Sequence, residues 1–209
     1  MRIKELLQEA PIPDSWDKDI FNDRVPFKTR VEYAKARAVQ VGKGSARVAF
    51  EIPYKGRKTV LKIALSSAKG LGQNQEEAEL LSDGYISRIG NVIPLIDYDE
   101  VNSRPTWIHT EYATKITQKQ LERYFDGIPM YEIISYLDHT NGRNRGYRGE
   151  LPTSIFENEN FQMLQDLVTS FNMPAGDFAR KANWGLYKGR TPVIIDLGYT
   201  DNTAALYRR

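Results

Sequence analysis

Val193-Ile194-Ile195-Asp196-Leu197-Gly198, near the end of the chain, and Val60-Leu61-Lys62-Ile63-Ala64, far upstream, are the two stretches from which the sequence is read. An aspartate that ends an apolar strand and is followed by Leu-Gly offers a hard oxygen ligand, suited to a metal shared with phosphates. A lysine inside a short β-branched strand suits the phosphates themselves. If it points inward it needs a partner, because burying a bare ammonium costs several kcal/mol. Glu76, Glu77 and Glu79, in the helical stretch that follows, are the candidates.

Working outward, 209 residues suit one domain or two small lobes and can bury a core without staples. Lys plus Arg is 29 against 27 for Asp plus Glu, a net charge of +2, which argues against a dedicated nucleic-acid binder or a membrane-surface protein. The absence of cysteine excludes disulfides, thiolate metal sites and a cysteine nucleophile, and two histidines make multi-histidine zinc sites hard to build. Residues 2–9 read as a charged amphipathic helix with Ile3, Leu6 and Leu7 on one face, not as a signal peptide. No apolar run approaches a membrane span. A soluble cytosolic protein with no membrane association is expected.

Pro11-Ile12-Pro13 stops the first helix, and Val31 to Ala38 is a second helical candidate. Arg47 to Ile52 alternates in period two and pairs with Thr59 to Ala64 as a hairpin, with a four- or five-residue loop around Tyr54-Lys55-Gly56-Arg57. Residues 65–72 read as a flexible connection and residues 73–83 as a Glu-rich helix. Strands follow over residues 92–98 and 106–112. Beyond them the sequence predicts short helices at 119–124 and 130–137, a loosely ordered Gly/Arg-rich loop at 141–149 and a strong helix at 158–171. It closes with strands 184–187 and 192–196 around a Lys188-Gly189-Arg190 turn.

In this order the segments resemble the protein-kinase-like fold, especially the small divergent kinase-like proteins of tailed bacteriophages. The resemblance covers roughly residues 39–200 and implies an α+β, reduced bilobal fold. Residues 1–38 would form an N-terminal helical extension. Residues 39–113 would form an antiparallel β-sheet N-lobe with one helix, and residues 114–209 a short, mainly helical C-lobe. Val41-Gly42-Lys43-Gly44-Ser45-Ala46-Arg47-Val48 is similar to a glycine-rich phosphate loop, in which Gly42 and Gly44 let backbone N–H groups approach phosphate and Val48 covers the adenine. Arg47 stands where the family has its third glycine.

The resemblance favours Glu77 as the partner that orients Lys62 toward the phosphates. It makes Glu111-Tyr112-Ala113 the hinge, with backbone groups of Glu111 and Ala113 on adenine and Thr110 behind them. It assigns Asp177 as base, Arg180 as the cation on the transferring phosphate, and Asn183 and Asp196 as metal ligands. The loop departs from the family pattern: Ala175-Gly176 replaces the usual His-Arg, and Asp177 to Asn183 is one residue longer than usual.

What the resemblance implies is an ATP- and Mg²⁺-binding phosphotransferase acting on an unknown host or phage protein in the host cytoplasm or a virion. The alternative is an inactive pseudokinase that works as a protein-binding module. Only eleven residues follow Gly198, so a peptide-substrate platform is not expected. A nucleic-acid role through Arg143, Arg145 and Arg148 ranks third, given the balanced charge. His109 is expected to be a packed, hydrogen-bonded ring, and His139 a cation at a helix end.

Overall fold

The computed structural model describes residues 12–13, 15–89, 91–102, 104–171, 173–198, 200 and 203, so the helix expected over residues 2–9 lies outside the described residues. The chain is α+β with antiparallel sheets and divides into two units. One unit comprises Met1–Ala78 with Pro94–Tyr112, and the other Glu79–Ile93 with Ala113–Arg209. Among the described residues no helix is long and apolar enough to cross a membrane.

The first unit is built on five strands, β1 (Val39–Lys43), β2 (Arg47–Tyr54), β3 (Arg57–Ala64), β4 (Leu95–Tyr98) and β5 (Trp107–Glu111), in the order β1-β2-β3-β5-β4. The β2–β3 hairpin pairs without a slip from Arg47↔Ala64 to Tyr54↔Arg57. Its turn is therefore two residues long, not four or five. Lys55 and Gly56 both take positive φ, 48° and 74°, the geometry that matches the twist of a tight hairpin.

That register fixes which side chains share a face. Val48↔Ile63 and Phe50↔Leu61 lie on one side, and Arg47↔Ala64 and Ala49↔Lys62 on the other. Val48, Phe50, Ile52, Leu61, Ile63 and Trp107 form one buried cluster with Ile12, Trp16, Phe21 and Ala34. Burying each of the large side chains contributes about 1.5–3 kcal/mol relative to exposure.

Residues 12–13 and 15–38 thus provide the second layer of this core. They supply a short 3-10 helix, Lys18–Phe21, and α1, Phe27–Lys35. The Trp16 and Phe21 rings stack at 6.1 Å, and Tyr33 meets both edge-on. A polar knot ties the segment to the loop before β5. Asp99 Oδ2 accepts from Thr106 N at 2.9 Å and from Asn102 Nδ2 at 2.6 Å, while Thr106 Oγ1 lies 3.0 Å from Phe21 O.

Helix α2, Lys69–Ser82, begins four residues earlier than expected, through two glycines. A Cβ on Gly70 would come within 2.7 Å of Ala46 O and 2.9 Å of Leu65 N, so only glycine lets this turn approach the β2–β3 hairpin. Tertiary packing here outweighs the poor helix propensity of glycine.

The second unit holds β6 (Ala113–Lys115), β7 (Trp184–Tyr187) and β8 (Thr191–Ile194), in that order, with α3 (Ile86–Ile89), α4 (Gln118–Arg123), α5 (Met130–Thr140), α6 (Glu159–Ser170) and α7 (Ala175–Phe178). Met130, Ile133, Ile134 and Leu137 on α5, and Phe161, Leu164, Leu167 and Val168 on α6, are buried at helical spacing. Asn158 caps α6 by accepting from Asn160 N and Phe161 N.

The 141–149 loop is better anchored than its composition predicts. Arg143 N and Asn144 N both donate to Asp138 O, the His139 ring Nδ1 lies 2.7 Å from Asn144 O, and Arg143 Nη1 donates to Met173 O at 3.0 Å.

Candidate functional site

In the first unit the expected site centres on Lys62. Its strand is central, paired on both sides by β2 and β5, and its side chain is 8% exposed. Lys62 Nζ forms an ion pair with Glu77 Oε1 on α2, and Glu77 is fully buried. Glu77 is thus the glutamate that meets Lys62. Its other oxygen, Oε2, lies 2.5 Å from Arg47 Nη1. Oε2 has no aligned hydrogen bond, so the contact is one of charge and proximity. One carboxylate therefore lies between two cations, one from each strand of the hairpin.

Arg47 is 6% exposed and turned toward α2. Its Nη1 also approaches Gln73 O and Asn74 Oδ1, each at 3.5 Å. Asn74, fully buried, donates through Nδ2 to Pro105 O at 3.1 Å.

Lys62 belongs to a row of residues across the sheet, Gly42↔Ala49↔Lys62↔Ile108. Two of its neighbours are the smallest residues there are, which leaves a low surface on the ammonium's side. Val48 does not belong to that surface. It pairs with Ile63, is 2% exposed and packs with the aromatic residues of the N-terminal segment. The expectation that Val48 covers an adenine on the Lys62 side is corrected: Val48 pairs with Ile63, which puts the even-numbered residues of β2 on the opposite face, and Ala49 shares the face of Lys62.

Gly42 and Gly44 sit in β1 and in the turn after it, where Gly44 N donates to Arg47 O at 2.9 Å. Neither takes positive φ, and a Cβ on either would make only ordinary contacts, at 3.6 and 3.8 Å. The backbone alone does not demand glycine at these two positions.

Glu111 ends β5. Its N–H donates to Pro94 O at 2.9 Å and its carboxylate lies 2.5 Å from Arg57 Nη2. Behind it Thr110 is 1% exposed. His109 is a buried ring, with Nε2 2.7 Å from Thr59 Oγ1 and Tyr54 packed edge-on against it. Thr59 donates its hydroxyl to Ile52 O at 3.1 Å, so its oxygen is the acceptor for His109 Nε2–H.

In the second unit Ala113 pairs with Tyr187 in the β6–β7 ladder. Gly185 makes this ladder possible, since a Cβ there would lie 2.7 Å from Ala113 Cβ and 3.2 Å from Ile195 Cγ2.

Asp177 lies on the one-turn helix α7 and is half-buried. Asn183 Nδ2 donates to Asp177 O at 2.9 Å, and Asn183 O accepts from Ile195 N at 2.8 Å. Asn183 thereby links the Asp177 turn to the residue before Asp196. Its amide nitrogen is engaged, which leaves its oxygen as the end able to ligate. Arg180, between them, is exposed.

Asp196 is half-buried, two residues past the end of β8, so the strand stops at Ile194 rather than at the aspartate. Residues 91–93 hold that end in place, with Ile194 N donating to Asn91 O at 2.8 Å and Ile93 N to Ile194 O at 2.9 Å.

Among the described residues no group of three or more His, Cys, Asp or Glu side chains is placed to hold a metal. Asp196 and Asn183 each carry a hard oxygen of the kind that suits Mg²⁺, which takes one or two protein ligands and completes its shell with water and phosphate.

No known protein-family model matches the sequence, and a comparison with curated proteins finds none similar to it.

Proposed function

We propose that the protein is a kinase-like, ATP-binding protein that transfers a phosphoryl group in the presence of Mg²⁺. The observation that carries this reading is the Lys62–Glu77 ion pair, formed on a central strand beside the small residues Gly42 and Ala49. A lysine in a strand interior with a buried carboxylate to aim it is a means of holding an anion at a fixed point. The small size of Gly42 and Ala49 beside it suits the close approach of a flat ring.

In the second unit Asp177 would accept the proton of an acceptor hydroxyl, and exposed Arg180 would meet the charge on the transferred group. Asn183 and Asp196 would hold Mg²⁺, which neutralises phosphate charge when bound. The acceptor oxygen forms a bond to the γ-phosphorus, the bond from that phosphorus to the β–γ bridging oxygen breaks, and ADP leaves. The acceptor would be a host or phage protein, as the resemblance to phage kinase-like proteins implies.

Calorimetric titration with MgATP tests this. Wild type is expected to bind and Lys62→Ala to lose at least tenfold in affinity. Labelled phosphate should pass from ATP to protein and stop with Asp196→Ala. No heat with wild type ends the proposal.

One observation favours a second reading. Val48 is committed to the core, so no large apolar side chain from β2 covers a ring on the Lys62 face. A pseudokinase that binds nucleotide weakly and acts by binding a protein fits that feature. Binding without any transfer to protein would select it.

A further inference from the structure

Resting on the nucleotide reading above, we infer that Arg47 is a positioning residue, which holds the Glu77 carboxylate so that Lys62 keeps one fixed place on the sheet.

Glu77 is fully buried and has two oxygens, each with its own cation: Lys62 at Oε1 and Arg47 at Oε2. With both contacts made, the carboxylate plane cannot turn. With Arg47 removed, Oε2 loses the cation that lies 2.5 Å away, and it does so where water does not reach. The carboxylate can then rotate toward Lys62 and draw the ammonium toward α2, away from an anion on the sheet.

Arg47 does more than neutralise charge. Its guanidinium also lies beside Gln73 O and Asn74 Oδ1, one helical turn before Glu77, while Asn74 reaches Pro105 O in the loop before β5. Strand β2, helix α2 and that loop are thus joined through Arg47, Asn74 and Pro105, all buried, and the half-buried Gln73. At the start of the same helix, Gly70 is in closest approach to Ala46 and Leu65. The docked state of α2 is built into the chain and calls for no second protein to press the helix home. A lysine that must be aimed by a mobile helix is switchable; here the arginine at the end of the glycine-rich turn makes the aim permanent.

The test is a double-mutant cycle on MgATP binding with wild type, Arg47→Ala, Glu77→Gln and the double variant. Arg47→Ala is expected to weaken MgATP about tenfold in the wild-type background and less than about twofold in the Glu77→Gln background. Arg47→Lys, which keeps a cation, should restore affinity to within about threefold of wild type. Equal weakening in both backgrounds would overturn the inference, since Arg47 would then act on nucleotide directly or through general stability. So would failure of Arg47→Lys to restore binding.

A second measurement needs no nucleotide. Amide hydrogen exchange in α2 around residues 74–79 should be at least about tenfold faster in Arg47→Ala, and near wild type in Arg47→Lys. Unchanged exchange in Arg47→Ala refutes the clamp even if MgATP binds. Faster exchange upholds it even if MgATP does not bind, in which case the nucleotide reading alone fails. If Arg47→Ala does not fold, Arg47→Gln, which keeps a donor and most of the volume, takes its place in both measurements.

Discussion

Lys62 and Glu77, fifteen residues apart in sequence, meet as an ion pair in which the carboxylate is fully buried and the lysine nearly so. The carboxylate is shared with Arg47. The three partners are therefore unequal. Glu77→Gln removes the carboxylate that both cations face and should cost about 3–5 kcal/mol. Lys62→Met keeps the Arg47–Glu77 contact and the lysine's apolar stem, and should cost about 1.5–3 kcal/mol. Urea unfolding of the two variants checks the order. A Lys62→Met loss as large as that of Glu77→Gln would mean that Arg47 contributes nothing.

Gly70→Ala should destabilise the first unit by about 1–3 kcal/mol, because the new methyl meets the backbone at Ala46 and Leu65 and neither can yield as a flexible side chain would. Gly42→Ala is the control, since its Cβ would find only ordinary contact with Ala49. Thermal melts of the pair should separate by several degrees.

Gly185→Ala acts in the other unit. Its Cβ would press on Ala113, Thr114 O and Ile195, next to the proposed metal ligand Asp196. A loss of about 1–3 kcal/mol is expected. Mg²⁺ affinity should weaken with it, read as a higher Mg²⁺ concentration at half-maximal nucleotide binding.

Asp97 supplies a pH test. Burial raises its carboxyl pKa, the Tyr98 N–H opposes that shift, and Glu100 adds to it. The native state therefore holds this proton more tightly than the unfolded chain, whose value is near 3.9. The stability contributed by Asp97 is greatest below that value, falls as pH rises toward the raised native one, and then levels off. Asp97→Asn keeps an acceptor for Tyr98 N, 2.7 Å away in wild type, and removes the charge. The variant should melt higher than wild type at pH 7 and converge with it near about pH 3–4. A constant offset across that range would show that the aspartate's charge is not the cause.

Much of the architecture was legible because it rests on periodicity. Alternation over Arg47 to Ile52 and Thr59 to Ala64 gave the hairpin, and apolar spacing gave α5 and α6. The lysine's partner could be narrowed to three glutamates, since a lysine flanked by Val60, Leu61, Ile63 and Ala64 needs a carboxylate. What escaped was set by contacts distant in sequence. The side on which Val48 faces depends on its pairing with Ile63 rather than with Lys62, and the Lys-Gly turn about which the strands pair lacks the asparagine or aspartate that usually marks a tight hairpin. Residues 69–72 read as loop because glycine disfavours helix, yet the close approach of Gly70 to the hairpin makes them the first turn of α2. The inward turn of Arg47 was hidden because nothing local marks which strand residue a distant helical glutamate will reach.

Trp16, Phe21 and Ala34 lie over Val48, Phe50, Ile52, Leu61 and Ile63 as the other half of one oily seam. Trimming the chain to begin at Val39, as its sequence boundaries invite, would uncover the apolar side of β2 and β3 and Trp107 of β5. Such a fragment would clump on expression, and its failure to bind any ligand would say nothing about the intact molecule.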